Sequence, residues 1–264
     1  MMKRLLPFLL LLVLPALARA ADFSGLSPPE GPLLVTEVVD GDTLRLEDGR
    51  QVRLVGLQAP KLPLGRSGFK EWPFAKESKQ ALEQLTLGKK VSLRYGGRQT
   101  DRYGRALAHL FLEDGSWVQG KMLRRGMARV YSFRDNRALV RDMQAIERDA
   151  REARRGMWAL SYYAIKHHLE AGRFTDSFQI VEGVVRDVAS VRGRVFINFG
   201  DDWRTDFTLV VEGKARRLFL DSDIKLSHLP GKKIHVRGWL KYYNGPMIQL
   251  THPEQVQIVG SAPD

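Results

Sequence analysis

Apolar and polar positions alternate in several short stretches in the first half of the chain, and this period of two is typical of half-buried strands. The stretches predict five strands, at Leu33–Val39, Thr43–Leu46, Gln51–Leu57, Val91–Tyr95 and Ala106–Leu112. An Asp48-Gly49 turn separates the second strand from the third. Helical spacing follows at about 74–87, 116–126 and 137–155, and the last segment carries an apolar stripe at Leu139, Met143, Ile146 and Ala150.

A second block of alternating positions begins near residue 176. It predicts five more strands, at Phe178–Val188, Gly193–Phe199, Asp206–Val211, Lys232–Leu240 and Pro246–Thr251. The fold class is therefore α+β and mainly β. We expect a five-stranded OB-type barrel with three helices over residues 33–160, and a second small OB-like barrel over 176–260. Residues 21–32 are rich in Pro, Gly and Ser and are predicted as a leader, and the polar stretch 161–175 as a linker.

The first twenty residues have the organisation of a secretory signal peptide. Lys3 and Arg4 precede the apolar run Leu5–Leu17, and Ala18-Arg19-Ala20 supplies the small residues of a cleavage site. The alternative is a membrane anchor, but a run this short does not reach the roughly 20 residues that span a bilayer. We therefore expect export to the periplasm or beyond the cell, without a stable membrane anchor. The oligomeric state is not predicted.

Charge and cysteine content narrow the chemistry. The 264 residues carry a formal net charge of +12, and residues 30–160 hold 25 Lys and Arg against 17 Asp and Glu. This excess directs the first half towards anionic partners, although a general solubility charge is the alternative. The chain contains no Cys. Disulfides, thiolate zinc sites and cysteine nucleophiles are therefore excluded.

Three segments of the first half carry a family resemblance. They are Val39–Thr43 (VDGDT), Val52–Pro60 (VRLVGLQAP) and Thr100–Ala108 (TDRYGRALA). In this order and spacing they resemble a staphylococcal nuclease (thermonuclease) domain, and the region of Trp158 is similar to the end of that family's C-terminal helix. The resemblance covers residues 33–160.

The resemblance implies hydrolysis of DNA and RNA phosphodiesters with Ca²⁺. It places Arg53 and Arg105 as the phosphate-binding arginines and Asp42 as the first metal ligand. Guanidinium groups bind phosphate oxygens in pairs, and a hard cation prefers carboxylate ligands. Two positions depart from the pattern, because Gln58 replaces the second metal aspartate and Lys61 replaces the glutamate base. The site changes from a formal charge of about −1 to about +2, which disfavours Ca²⁺.

Three interpretations of this region stay open. In the first, Arg53, Arg105 and Lys61 form a metal-free pocket that binds nucleic acid or another phosphodiester polyanion. In the second, Asp42 and either Asp40 or Asp101 hold a metal for hydrolysis. In the third, the arginines pair with these aspartates and only stabilise the barrel, and the protein is an envelope scaffold. Further candidates for nucleic-acid contact are Arg102, Tyr103 and Trp203, together with the neighbouring pair Tyr242 and Tyr243.

Overall fold

The computed structural model describes residues 21–261, so the predicted signal peptide lies outside the described residues. The first half of the chain forms strands and three helices in the following order: β1 (Glu30–Asp40), β2 (Thr43–Leu46), β3 (Gln51–Leu54), β4 (Leu57–Gln58), α1 (Ala75–Thr86), β5 (Lys90–Arg94), β6 (Ala106–Leu112), α2 (Val118–Arg124), β7 (Arg129–Val130) and α3 (Val140–Glu152).

Five of these strands close a barrel in the order β1-β2-β3-β6-β5. All neighbours are antiparallel except β3 and β6, which run parallel with Arg53 opposite Leu107. Alternate residues point inwards, and Leu54, Leu93 and Leu110 are fully buried in the core. The prediction of a five-stranded OB-type barrel with three helices is confirmed.

The helices are shorter than their apolar periodicity predicts. Helix α3 begins at Val140 rather than at residue 137, because Leu139 adopts a left-handed conformation with φ of 61°. Helix α1 likewise follows Phe74, whose φ is 73°. A left-handed residue cannot continue a right-handed helix, and periodicity does not encode this stop. Within residues 21–261, no helix combines the length and apolar character needed to cross a membrane.

The second half forms one larger sheet and a helix. Its elements are β8 (Lys166–His167), β9 (Ser177–Val184), β10 (Asp187–Val191), β11 (Arg194–Asn198), β12 (Thr208–Val211), α4 (Lys214–Leu220), β13 (Lys232–Tyr242), β14 (Pro246–Leu250) and β15 (Val256–Ser261). The strand order is β10-β11-β12-β14-β13-β9-β8, and β15 pairs with β13.

This sheet is open, whereas the sequence predicts a second small OB-like barrel. Its connectivity nevertheless follows the first barrel: β12 and β14 are parallel, and α4 precedes the strand that pairs back with β9. The difference lies at Val185-Arg186, where the predicted strand divides into β9 and β10. Each half pairs with a different neighbour, β9 with β13 and β10 with β11.

The predicted linker, 161–175, is also different in the structure. It contains the 3-10 helices Ser161–Tyr163 and His168–Phe174, with β8 between them pairing parallel to β9. Tyr163 is buried, and its hydroxyl donates to the carbonyl oxygen of Pro73 at 2.6 Å. The segment is therefore packed against both halves rather than free between them.

The predicted leader, 21–32, packs on the barrel. Phe23 makes edge contacts with the rings of Phe111 and Trp117, at centroid distances of 4.9 and 5.5 Å. Leu26 is buried in the first core, and Glu30 already belongs to β1. The Pro, Gly and Ser content predicts a leader, and the apolar side chains of Phe23 and Leu26 attach this segment to the barrel.

A buried ion pair joins the two halves. Arg237 on β13 binds Glu147 on α3 with Nη2–Oε2 at 2.7 Å and Nη1–Oε1 at 3.2 Å, and both side chains are almost completely inaccessible. The Arg237 guanidinium also donates to the carbonyl oxygen of Val130, whose N–H donates to Glu147. Each charge is thereby both paired and hydrogen-bonded, as burial requires.

Candidate phosphodiester site

The first part of the candidate site is the turn between β1 and β2, which holds Asp42. A side chain at Gly41 would overlap the hydroxyl of Ser78, so the turn can approach α1 only with glycine. The Asp42 carboxylate is fully buried and accepts the Ala59 N–H at 2.7 Å. Thr43 donates its hydroxyl to the same carboxylate at 3.2 Å. These hydrogen bonds fix the position of the Asp42 carboxylate without any contribution from a cation.

Arg53 lies on β3, directly opposite Thr43 on β2. Its Nη1 forms an ion pair with Asp42, and its Nη2 donates to the carbonyl oxygen of Leu57 at 2.6 Å. Burial alone would lower the pKa of Arg53, but Asp42 and Asp40 raise it. The guanidinium therefore stays charged, and its Nε has no partner among residues 21–261.

Lys61 lies between the two aspartates and donates to both of them. Its Nζ donates to Asp42 Oδ1 at 2.8 Å, to Asp42 Oδ2 at 2.7 Å and to Asp40 Oδ2 at 3.3 Å. Burial would raise the pKa of Asp42, but Arg53 and Lys61 hold it far below its ordinary value. Burial, with the Asp42 charge, raises the pKa of Asp40.

The second candidate metal ligand, Gln58, is engaged elsewhere. Its Oε1 accepts the Nε–H of Arg129 at 2.8 Å across the β4–β7 pair. Arg129 is buried, and its guanidinium lies 4.7 Å from the ring centre of Phe178 and 5.8 Å from that of Trp72. Burial lowers the pKa of Arg129 to about 10, which still leaves it charged at neutral pH. No sequence motif identified Arg129, because its contact with Gln58 depends on the pairing of distant strands.

Arg105 lies immediately before β6. Strand β6 pairs with β3, which carries Arg53. Arg105 binds Asp101 through Nε at 2.8 Å and through Nη2 at 2.7 Å, and the Arg105 side chain is 27% exposed. The Tyr103 ring is two-thirds exposed and lies beside both Arg102 and Arg105, at 4.7 and 5.4 Å from ring centre to guanidinium carbon. Arg102, Tyr103 and Arg105 form a cluster of one aromatic and two cationic groups at the surface.

Trp203 is separate from this cluster. It lies in the connection between β11 and β12, is about half exposed, and stacks with Arg204 at 4.6 Å. The structure therefore places Arg53, Lys61, Asp40 and Asp42 in one network and leaves Trp203 outside it.

The donor set does not fit Ca²⁺. A calcium ion takes six to eight oxygen ligands and favours carboxylates. Here the ammonium of Lys61 already binds the oxygens of Asp42 and Asp40, and Gln58 is held by Arg129. In the described part of the chain, no group of three or more His, Asp or Glu side chains could hold a metal ion.

The closed five-stranded barrel with three helices has OB-type architecture, and it places a guanidinium beside buried aspartates. Residues 51–160 match the family model described as staphylococcal nuclease homologue, and the chain belongs to this family. It is 32% identical over 128 residues to an uncharacterized endonuclease of Escherichia coli O157:H7, covering 47% of this chain and 75% of that protein.

Two further relatives cover the same share of this chain. A thermonuclease of Staphylococcus hyicus is 27% identical over 128 residues, covering 47% of this chain and 74% of that protein. Endonuclease YncB of Bacillus subtilis is 28% identical over 130 residues, covering 47% of this chain and 60% of that protein. The family supports hydrolysis or binding of nucleic-acid phosphodiesters.

Proposed function

We propose that the first barrel binds nucleic-acid phosphodiesters through Arg53 and Arg105 without calcium, with Lys61 in place of the metal ion. The observation that carries the proposal is the ammonium of Lys61, within 2.8 Å of both oxygens of Asp42. A tethered cation at this position neutralises the carboxylates and keeps the site attractive to phosphate. Planar guanidinium groups then supply paired donors for phosphate oxygens.

The availability of donors supports binding. Arg53 is oriented by Asp42 and by the Leu57 carbonyl oxygen, while its Nε remains unpartnered among residues 21–261. Arg105 is partly exposed and is held by one carboxylate, that of Asp101. A phosphodiester has two non-bridging oxygens that accept hydrogen bonds, so it can compete with Asp101 for the partly exposed Arg105. Ion pairs at the surface contribute about 1 kcal/mol or less.

Hydrolysis is the second candidate function, because two of the relatives above are named as endonucleases and the third as a thermonuclease. The geometry favours it less. Lys61 stands where the resemblance places the base, and loss of a general base typically costs about 10²–10⁴-fold in rate. The other carboxylates are engaged, Asp40 with Lys61 and with the Asp42 N–H, and Asp101 with Arg105.

We also propose export and a division into two domains. The Lys3-Arg4 start, the apolar run and the Ala18-Arg19-Ala20 sequence support removal of residues 1–20 and a periplasmic or secreted protein. Each half has its own large hydrophobic cluster, which supports domains at 33–160 and 176–260, and a small third cluster contains residues of both. A scaffold in the envelope remains the alternative if neither binding nor cleavage is found.

The test uses purified residues 21–264 with fluorescent single-stranded DNA and RNA. Binding is measured by anisotropy against salt, and cleavage is measured in Ca²⁺, in Mg²⁺ or Mn²⁺, and in chelator. We expect binding that persists in chelator and falls steeply with salt, as phosphate contacts require. Arg105→Ala should reduce the salt slope by about one, whereas Arg45→Ala, on the exposed Glu37 pair, should not.

Two results would contradict the proposal. Metal-dependent cleavage that Arg105→Ala abolishes would establish the endonuclease instead. Equal binding by the wild type, Arg105→Ala and the Arg53→Ala/Arg105→Ala double variant would show that nucleic acid contacts another surface.

A further inference from the structure

A groove of about 340 Å³ lies between the two halves, beside the phosphate site. Its first-domain wall carries Tyr131 and Phe133, and its second-domain wall carries Phe178, Trp239 and Lys241. The groove lies within the size range of small-ligand sites, roughly 300–1,000 Å³. Its lining combines flat aromatic surfaces with a cationic group.

The second-domain wall follows from the alternation of β13. Ile234, Val236 and Leu240 point into the second core and are fully buried. The intervening residues of the outer face change gradually in exposure. Arg237 is buried against Glu147, Trp239 is 45% exposed, and Lys241 is exposed. The outer face of β13 therefore leads from the domain interface towards solvent.

Tyr131 connects this face to the phosphate site. Its hydroxyl accepts the indole N–H of Trp239 at 2.9 Å, which fixes the orientation of the half-exposed ring. The Tyr131 N–H donates to the carbonyl oxygen of Gly56, next to the Leu57 carbonyl that holds Arg53. Tyr131 also lies close enough to influence the pKa of Arg53 electrostatically. The groove and the arginine site are therefore adjacent.

The charges of the groove suit an anionic strand. Arg237 is neutralised by Glu147, so Lys241 is the exposed cation of the lining. The neighbouring carboxylate, Glu212, accepts from Gln249 at 2.7 Å and pairs with Arg194 at 2.8 Å. Unpaired bases stack on exposed aromatic rings while cations follow the backbone, whereas a duplex keeps its base faces internal.

We propose that a single nucleic-acid strand bound at Arg53 and Arg105 continues onto the outer face of β13, where one base stacks on Trp239 and Lys241 contacts a phosphate. This inference rests on the proposed function and names the conformation of its ligand. It also gives the second domain a part in binding, as an extension of the first barrel's site.

The experiment compares a trinucleotide, a single strand of about twelve nucleotides and the matching duplex, by anisotropy in chelator. Trp239→Ala should weaken binding of the longer strand about 5- to 100-fold and leave trinucleotide binding unchanged. Trp239→Phe should retain most of the affinity. Lys241→Ala, at an exposed position, should lower the salt slope for the longer strand by about one.

Trp203→Ala is the comparison variant, since Trp203 is a similarly exposed tryptophan outside the groove and the other candidate for stacking. If wild-type protein binds neither strand length, the proposed function itself is wrong. If it binds both but Trp239→Ala and Lys241→Ala change nothing, the groove proposal is wrong and the phosphate site stands. A loss confined to Trp203→Ala would place the strand on the connection between β11 and β12 instead of the groove. Tighter binding of the duplex would exclude stacking.

Discussion

Replacement of Lys61 by methionine tests whether its ammonium acts as the cation of the site. The contacts to remove are those of Nζ with the two oxygens of Asp42, at 2.8 and 2.7 Å, and with Asp40 at 3.3 Å. Loss of one partner from a buried ion pair costs about 3–5 kcal/mol. Asp42 keeps Arg53 and the Ala59 N–H, so we expect the lower end, about 3 kcal/mol.

Calcium should restore the stability that Lys61→Met loses, but it should not stabilise the wild type. Lys61→Met leaves Asp40, Asp42 and Arg53 with a formal charge of −1 in place of zero, and it opens the position between the carboxylates. A ligand at about 100 times its dissociation constant adds about 2.7 kcal/mol of stability. Bound Ca²⁺ would therefore recover most of the unfolding free energy that Lys61→Met loses.

The assay is thermal and denaturant-induced unfolding with millimolar Ca²⁺ or with chelator. A loss of about 3 kcal/mol should lower the midpoint by about 6–12 °C in a protein of this size. Lys76→Met is the control, because Lys76 is largely exposed and lies 3.8 Å from its partner Glu71. The reasoning is refuted if Ca²⁺ stabilises the wild type as much as the variant, or if Lys61→Met costs no more than Lys76→Met.

Further predictions concern the interface and acid stability. Arg237→Met should cost about 3 kcal/mol of stability, the low end of the range for a broken buried pair, because Glu147 keeps only Arg151, at 3.7 Å, and the Val130 N–H. Arg237→Met/Glu147→Gln should recover most of this loss in denaturant titrations. Burial lowers the pKa of His252 to about 4, below its unfolded value near 6.5, so stability present above pH 6.5 should fall towards pH 4. At pH 5 the loss is about 2 kcal/mol, and His252→Gln should abolish this part of the difference between unfolding at pH 7 and pH 5. An unchanged pH dependence in that variant would place the acid sensitivity elsewhere.

The strand pattern of the first barrel could be predicted because it is local. The strand Ala106–Leu112 is predicted with the bounds that the structure shows, since a short, mostly apolar run followed by the Asp114-Gly115 turn defines it. The start of α3 could not be predicted, because the left-handed conformation of Leu139 depends on its packing. The division of the second block at Val185-Arg186 depends on which neighbour each half meets, and that information is not local.

The candidate site shows the same limit. The motifs placed Arg53, Asp42 and Lys61 in one region, and the structure brings all three into contact. The charge count also indicated that Ca²⁺ is disfavoured, but not that Lys61 would bind the aspartates directly. The contact of Gln58 with Arg129 joins residues 71 positions apart in the chain. Such contacts follow from the pairing of β4 with β7, which neither motif nor periodicity reveals.

The ion pair of Arg237 and Glu147 makes the two halves dependent on each other. A fragment ending near residue 160 would expose Glu147 and the Val130 carbonyl oxygen without the guanidinium that satisfies both. A fragment beginning near residue 176 would lack the carboxylate for Arg237. We expect unfolding of the whole chain in one cooperative step, and proteolytic cleavage between the halves should release no stable piece. We therefore expect the two domains to unfold as one cooperative unit, so a substitution that unfolds either sheet should lead to degradation of the whole chain in the cell.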